Sequence, residues 1–194
     1  MAELKIGTCS WKYDSWRGSV YSNSNRLNYL EEYSNKFETV EVDQWFWSLF
    51  DKIVLPDKQV VAEYKAAIPE DFNFTIKAPN SLTLTHYYNK KKSEPLKRNP
   101  HFLSLDLYEQ FLEQIGLIIP RTASIIFQFE YLNKDKMSSV KEFQNYISSF
   151  IAELPAGSPR ISIETRNPNY LSADYFNMLN RLNISHVFLD DNDT

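Results

Sequence analysis

Cysteine is almost absent: Cys9 is the only one in 194 residues. No internal disulfide and no thiolate cage for zinc can form, so a packed core has to hold the chain. Glycine is scarce too, at 4 residues. No phosphate-binding loop or dinucleotide fingerprint occurs, nor does a Ser-His-Asp signature in its expected context. No run approaches the roughly 18 apolar residues of a membrane span. The opening Met1-Ala2-Glu3-Leu4-Lys5-Ile6 lacks the apolar stretch of a secretory signal. Positive charge is not in excess: the formal net charge of -4 argues against a general affinity for nucleic acid or anionic membrane, while leaving room for a local basic patch. Gly-rich or Pro-rich linkers and low-complexity tracts are missing as well. A cytoplasmic protein with one domain over residues 1–194 is expected, with neither membrane nor nucleic acid as its partner.

What is present is alternation. Leu4 to Cys9, Thr39 to Asp43, Phe72 to Ala78, Ser124 to Phe129, Ile161 to Pro168 and His186 to Asp190 read as strands with a side-chain period of two. Apolar residues at helical spacing follow five of them: Leu27, Leu30 and Phe37 behind Asn23 or Asn25; Val60, Val61, Tyr64 and Ile68 opened by Pro56 and stopped by Pro69; Leu107, Phe111, Leu112 and Ile115; Val140, Phe143, Ile147 and Ile151; and Phe176, Leu179 and Leu182 behind Ser172. Such alternation is expected to build an α/β fold of six β/α units around a parallel sheet. A doubly wound sheet needs strands apolar on both faces. Here one face carries polar residues at the strand ends, which favours a TIM-type β/α barrel with helices outside and a site at its C-terminal mouth.

On that reading the mouth gathers Glu41 and Asp43, Lys77, Gln128, Glu164 and Arg166, and Asp190. Burying several charges is costly unless they pair with each other or with a ligand. The alternative is a structural ion-pair network of Glu41 with Lys77 and Glu164 with Arg166. As a site, Glu41 and Glu164 suit general acid and base, with Asp190 as a further carboxylate. Lys77 suits electrostatic stabilisation, anion orientation or, if desolvated, a Schiff base. The planar fork of Arg166 suits a carboxylate or phosphate. Glu41, His86, Glu164 and Asp190 also offer oxygen and imidazole ligands to a divalent metal, but no spacing motif supports one, and no cofactor is predicted.

Other features have bland readings beside functional ones. Cys9 is a nucleophile or a small buried hydrophobe. Trp11, Trp16, Trp45 and Trp47 stack a ligand or fill core. The basic run from Lys90 to Arg98, in a long connection of the kind that is often functional, is a phosphate site, a lid or a solvated loop. His101 and His186 read as structural.

Ile6-Gly7-Thr8-Cys9-Ser10-Trp11 with Trp16-Arg17-Gly18 and Tyr21, then Thr39-Val40-Glu41-Val42, Phe74-Thr75-Ile76-Lys77, Leu84-Thr85-His86, Phe127-Gln128 and Ile163-Glu164-Thr165-Arg166-Asn167-Pro168 resemble, in that order, the YecE-like family, domain of unknown function 72. The resemblance covers the whole chain and implies a TIM-like barrel whose mouth these segments line, without an established reaction. Its motifs single out Trp11, Trp16, Arg17 and His86 beside the charged cluster as substrate-binding candidates. Cys9-Ser10 and Glu130-Tyr131 depart from the family pattern. Family members also continue past Asp190, whereas a full barrel takes about 250 residues and eight strands. The barrel is therefore expected to be incomplete at its C-terminal end, through truncation, an interrupted reading frame or a naturally open form with exposed edges. The functional expectation is an enzyme-like protein acting on a small anionic or polar metabolite. The alternative is a non-catalytic module for a phosphate-bearing ligand or nucleic acid.

Overall fold

Short runs alternating β-branched or aromatic residues with polar ones fold as strands with one apolar face. The computed structural model describes residues 4–49, 52–88 and 93–189 and contains six such strands. They are β1 (Gly7–Cys9), β2 (Thr39–Val42), β3 (Asn73–Lys77), β4 (Thr122–Phe129), β5 (Ile161–Thr165) and β6 (Ser185–His186). All pair in parallel, in the order β1-β2-β3-β4-β5-β6. Between them run α1 (Tyr29–Ser34), α2 (Lys58–Ala67), α3 (Leu105–Gln114), α4 (Val140–Ala152) and α5 (Ala173–Leu182).

Each crossover leads to the adjacent strand in the same direction, and right-handed crossovers of that kind collect the helices on one face. The outer strand residues Val40, Val42, Phe74, Ile76, Ile125, Phe127, Phe129, Ile161 and Ile163 are all buried. They form one core with Tyr33, Val61, Tyr64, Tyr108, Phe111, Phe143, Ile147, Phe150, Tyr175 and Met178. Aromatic pairs knit the two layers: Phe127 meets Tyr108 at 5.5 Å and Phe150 at 5.4 Å, and Phe129 meets Phe143 edge-on at 5.0 Å. At Gly7 a β-carbon would lie 2.0 Å from the Thr39 carbonyl oxygen, so β1 reaches β2 only without a side chain there.

Side-chain caps set the helix starts. Asn28, Asp57, Ser104, Ser139 and Ser172 each accept an amide of the following turn. Asp57 rather than Pro56 opens α2, because its carboxylate takes the amides of Gln59 and Val60. Helix α1 starts behind Asn28, later than Asn23 or Asn25. Ser22 instead ties the preceding loop to Glu32, through its amide and through its hydroxyl at 2.7 Å. Strand β6 is shorter than the expected run to Asp190, and Asp190 lies outside the described residues.

Five strand–helix units followed by β6 stand where six units are expected. Among the described strands β1 pairs only with β2 and β6 only with β5, so the all-parallel sheet stays open. Leu4 and Ile6, which lead into β1, and Phe188, which follows β6, are largely exposed at those edges.

Candidate functional site

The inner sheet face, turned away from the helices, carries the other half of the alternation. Strand register sets Cys9 beside Glu41, Glu41 beside Thr75, Thr75 beside Ser124, Lys77 beside Ile126, and Gln128 beside Glu164. Asp43 and Arg166 follow β2 and β5 at the same, C-terminal end. Five adjacent strands thus deliver Cys9, Glu41, Lys77, Gln128 and Glu164 to one surface.

Two ion pairs organise this cluster. Lys77 Nζ lies 2.9 Å from Glu41 Oε1, and Arg166 Nη2 lies 3.1 Å from Glu164 Oε1. The Lys77 ammonium also stands 5.9 Å from the ring centre of Phe46. Burial works to lower the Lys77 pKa, but its hydrogen bond to Glu41 and the charges of Glu41 and Glu164 outweigh it, and the net shift is upward. Lys77 is therefore held as an ammonium, against the Schiff-base role. Glu164 shifts the other way. Only 2% exposed, it is pushed above the usual carboxylate range by burial, against the pull of Lys77 and Arg166. Glu164 Oε1 and the neighbouring Gln128 Oε1 are both buried without an aligned hydrogen bond among the described residues. A ligand hydroxyl or amine set between them would satisfy both acceptors.

Cys9 belongs to this face, as an exposed thiol rather than a buried hydrophobe. Its Sγ donates to Glu41 Oε1 at 3.1 Å and lies 3.7 Å from Asp43 Oδ2. Partial desolvation of the sulfur against the sheet, then the hydrogen bond and charge of Glu41, push its pKa up to about 12. That suppresses the thiolate a nucleophile needs.

Three buried asparagines hold the loops around this end. Asn80 Oδ1 accepts the amides of Ser48 at 2.9 Å and Leu49 at 3.1 Å, fixing the loop after β2 to the one after β3. Asn99 Nδ2 donates to the carbonyls of Ser81 at 2.8 Å and Leu84 at 2.6 Å. Asn167 exchanges two hydrogen bonds with the backbone of Leu132, tying the loop after β5 to the loop after β4. Asn167 lies in the Ile163-to-Pro168 motif, but Asn80 and Asn99 carry no sequence signal, because an asparagine in a loop looks like turn chemistry until its amide is seen buried.

The remaining predicted residues lie elsewhere. Trp11 is 1% exposed and sits on the helix side, edge-on to Tyr64 at 5.0 Å. With Lys12, Tyr29 and Glu63 it lines a separate hollow of about 370 Å³. The extended backbone of the sheet ends before it, at Ser10 with φ of 61°, which turns the chain toward the helices. Trp16 packs with Tyr13 at 4.6 Å and Tyr21 at 6.1 Å. Arg17 is bound locally, by Asp14 at 3.3 Å, the Ser24 carbonyl at 2.9 Å and the Tyr29 hydroxyl at 3.2 Å. His86 lies in a second cavity with Arg98, Lys136 and Glu142. Asp190 and Lys90, Lys91 and Lys92 fall outside the described residues. Among the described residues no three His, Cys, Asp or Glu side chains converge as metal ligands, and His86 is apart from Glu41 and Glu164. No helix among them is long and apolar enough to cross a membrane.

Comparison with known proteins points one way. The model of the family described as "Protein of unknown function DUF72" matches residues 5–194. A solved DUF72 family protein of Thermotoga maritima MSB8 superposes with a TM-score of 0.61 at 20% identity, over 96% of this chain and 64% of its own. Two structures of a DUF72 family protein of Enterococcus faecalis V583 give 0.58 at 21% identity and 0.53 at 20% identity. They are covered over 57% and 58% of their length, against 92% and 83% of this chain. The chain thus spans less than two thirds of these relatives, and at such identity the likeness is one of fold. No functionally curated protein matches the sequence.

Proposed function

The chain belongs to the DUF72 family, and from that premise we propose that its sheet is the open part of a TIM-type β/α barrel whose inner face is an acid–base site for a small anionic or polar metabolite. Sequential strand order and an inner polar face support the barrel reading. In this reading Glu164 is the proton-transferring group, since a carboxyl raised toward neutrality both gives and takes a proton efficiently. Glu41, paired with Lys77, is the second carboxylate. Two carboxyls in unlike surroundings, one paired and one desolvated, are how a site separates acid from base. Lys77 stabilises negative charge developing between them. Arg166, partly exposed beside Glu164, receives an anionic group of the ligand, and Gln128 accepts a hydrogen bond from it.

The observation that carries this reading is the buried, raised Glu164 beside the protonated Lys77 and the orphan acceptor of Gln128. The test is native mass spectrometry of the purified protein, followed by thermal-shift screening of small carboxylates, phosphates and polyols against the wild type, Lys77→Met and Glu164→Gln. A ligand that stabilises the wild type and loses its effect in both variants supports the site. Ligands that act equally on all three proteins remove it.

A further inference from the structure

The long connection after β3 is folded back on itself. The Tyr87 amide donates to the Lys97 carbonyl at 2.9 Å, and the Asn99 amide donates to the Thr85 carbonyl at 3.0 Å. These bonds make His86 and Arg98 an antiparallel bridge pair. Residues directly opposite in such a pair project to the same side, their β-carbons about 5 Å apart. Both line one cavity of about 160 Å³, closed on its other side by Lys136, Met137, Glu142 and Tyr146 from the segment leading into α4 and from α4 itself.

One cation, Arg98, and one ring that can become a cation, His86, thus face the same cavity from opposed positions. The carboxylates present are already engaged. Glu130 holds Lys136 at 2.7 Å. Glu142 accepts the Ser138 amide at 2.8 Å and its hydroxyl at 2.6 Å, while its charge faces Arg98. Arg98 forms no ion pair among the described residues. The His86 ring uses Nδ1 on the Thr85 hydroxyl at 2.9 Å, which leaves Nε2 for the cavity. Among the described residues the charges of Arg98 and Lys136 are offset by Glu130, which pairs with Lys136, and by Glu142, while His86 is neutral. An entering anion would then be matched by a proton on His86.

We propose that this cavity is an oxyanion site, in which Arg98, Lys136 and the protonated ring of His86 hold the phosphate group of a small ligand, taken up together with one proton. Arg98 and His86 from the clasp and Lys136 from the segment before α4 bring cationic donors to one cavity from separate parts of the chain. The charges acting on the ring are Arg98, Lys136 and Glu130, and Glu142 lines the same cavity. Burial, followed by the charges of Arg98 and Lys136, lowers the His86 pKa and keeps the ring neutral in the free protein. Anion binding therefore tightens as pH falls through the His86 titration, and by reciprocity the bound anion raises that titration. The site stands apart from the sheet-face cluster and does not depend on the acid–base reading.

Inorganic phosphate is the probe, titrated into the full chain while the imidazole resonances of His86 are followed by NMR, with chloride at matched ionic strength and with acetate as controls. Phosphate is expected to move His86 toward the imidazolium form, and its affinity to increase by up to about tenfold per pH unit on the steep part of the curve. Arg98→Met should abolish the response. His86→Gln should keep weaker phosphate binding, read from backbone amides, with only the pH dependence that comes from the titration of phosphate itself. Lys77→Met should change neither, whatever becomes of the acid–base site. A His86 resonance unmoved by phosphate, a response that chloride or acetate matches, or a response that survives Arg98→Met would overturn the assignment.

Discussion

The two faces of one sheet are made by the same strands and do opposite work. On the outer face Phe74, Ile76, Phe127 and Ile163 are closed under helices. On the inner face Cys9, Glu41, Lys77, Gln128 and Glu164 occupy alternate positions of the same backbone. Folding free energy comes mainly from the first set through apolar burial. The second set contributes little and, at Glu164, subtracts: a carboxyl whose pKa is raised by the fold is one whose charge the fold opposes. A protein gains nothing in stability from holding such a group, which is why that face is read as chemistry.

The comparison breaks most visibly by emptying each face in turn. Phe127→Ala, against Tyr108 and Phe150, should cost about 3–5 kcal/mol in denaturant unfolding. Lys77→Met, which takes the cation from a mostly buried ion pair, should cost less, about 1–3 kcal/mol, through the carboxylate of Glu41 left without it. Equal losses would erase the division between the faces. Gly7→Ala should cost about 1–3 kcal/mol, because the new methyl group meets the Thr39 carbonyl and β1 must move. The accompanying change should be a shifted Cys9–Glu41 pairing, visible as increased reactivity of the thiol toward an alkylating reagent. Asn80→Ala should cost about 1–3 kcal/mol by leaving the amides of Ser48 and Leu49 unpaired, with faster hydrogen exchange confined to the loop after β2.

The smallest effect is the most informative. Glu164→Gln should make the protein slightly more stable at neutral pH, since glutamine imitates the neutral acid that the fold favours. The sign follows from the upward shift: stability linked to Glu164 is fully present below the ordinary glutamate pKa and is lost as pH rises through the raised one. The stability difference between variant and wild type should therefore widen from acid toward neutral pH. Unfolding titrations across that range measure it.

Much of the sheet is written in its residues. Val40 and Val42 against Glu41, or Phe74 and Ile76 against Lys77, announce both the strand and its two faces, and the polar ends foretold the cluster from Glu41 to Arg166. Less legible was what depends on chain reversal. Trp11 and His86 sit in motifs beside the cluster, yet a left-handed turn at Ser10 and the backbone clasp of Thr85–Tyr87 with Lys97–Asn99 carry them away from it. Neither device has a periodic signature. Partners for His86 such as Lys136 and Glu142 lie some fifty residues onward, and only the packing of α4 brings them near. The short β6 and the open edges likewise depend on pairing partners rather than on local pattern.

The central claim is that Lys77 and Glu164 share one electrostatic environment on the inner face. Carbon-detected NMR titration of the Glu164 carboxyl, in the wild type and in Lys77→Met, tests it directly. The account predicts a Glu164 pKa above the ordinary glutamate value in the wild type, and higher still once the ammonium that lowers it is gone. A Glu164 that titrates at or below the ordinary value, or one unmoved by the loss of Lys77, would contradict it.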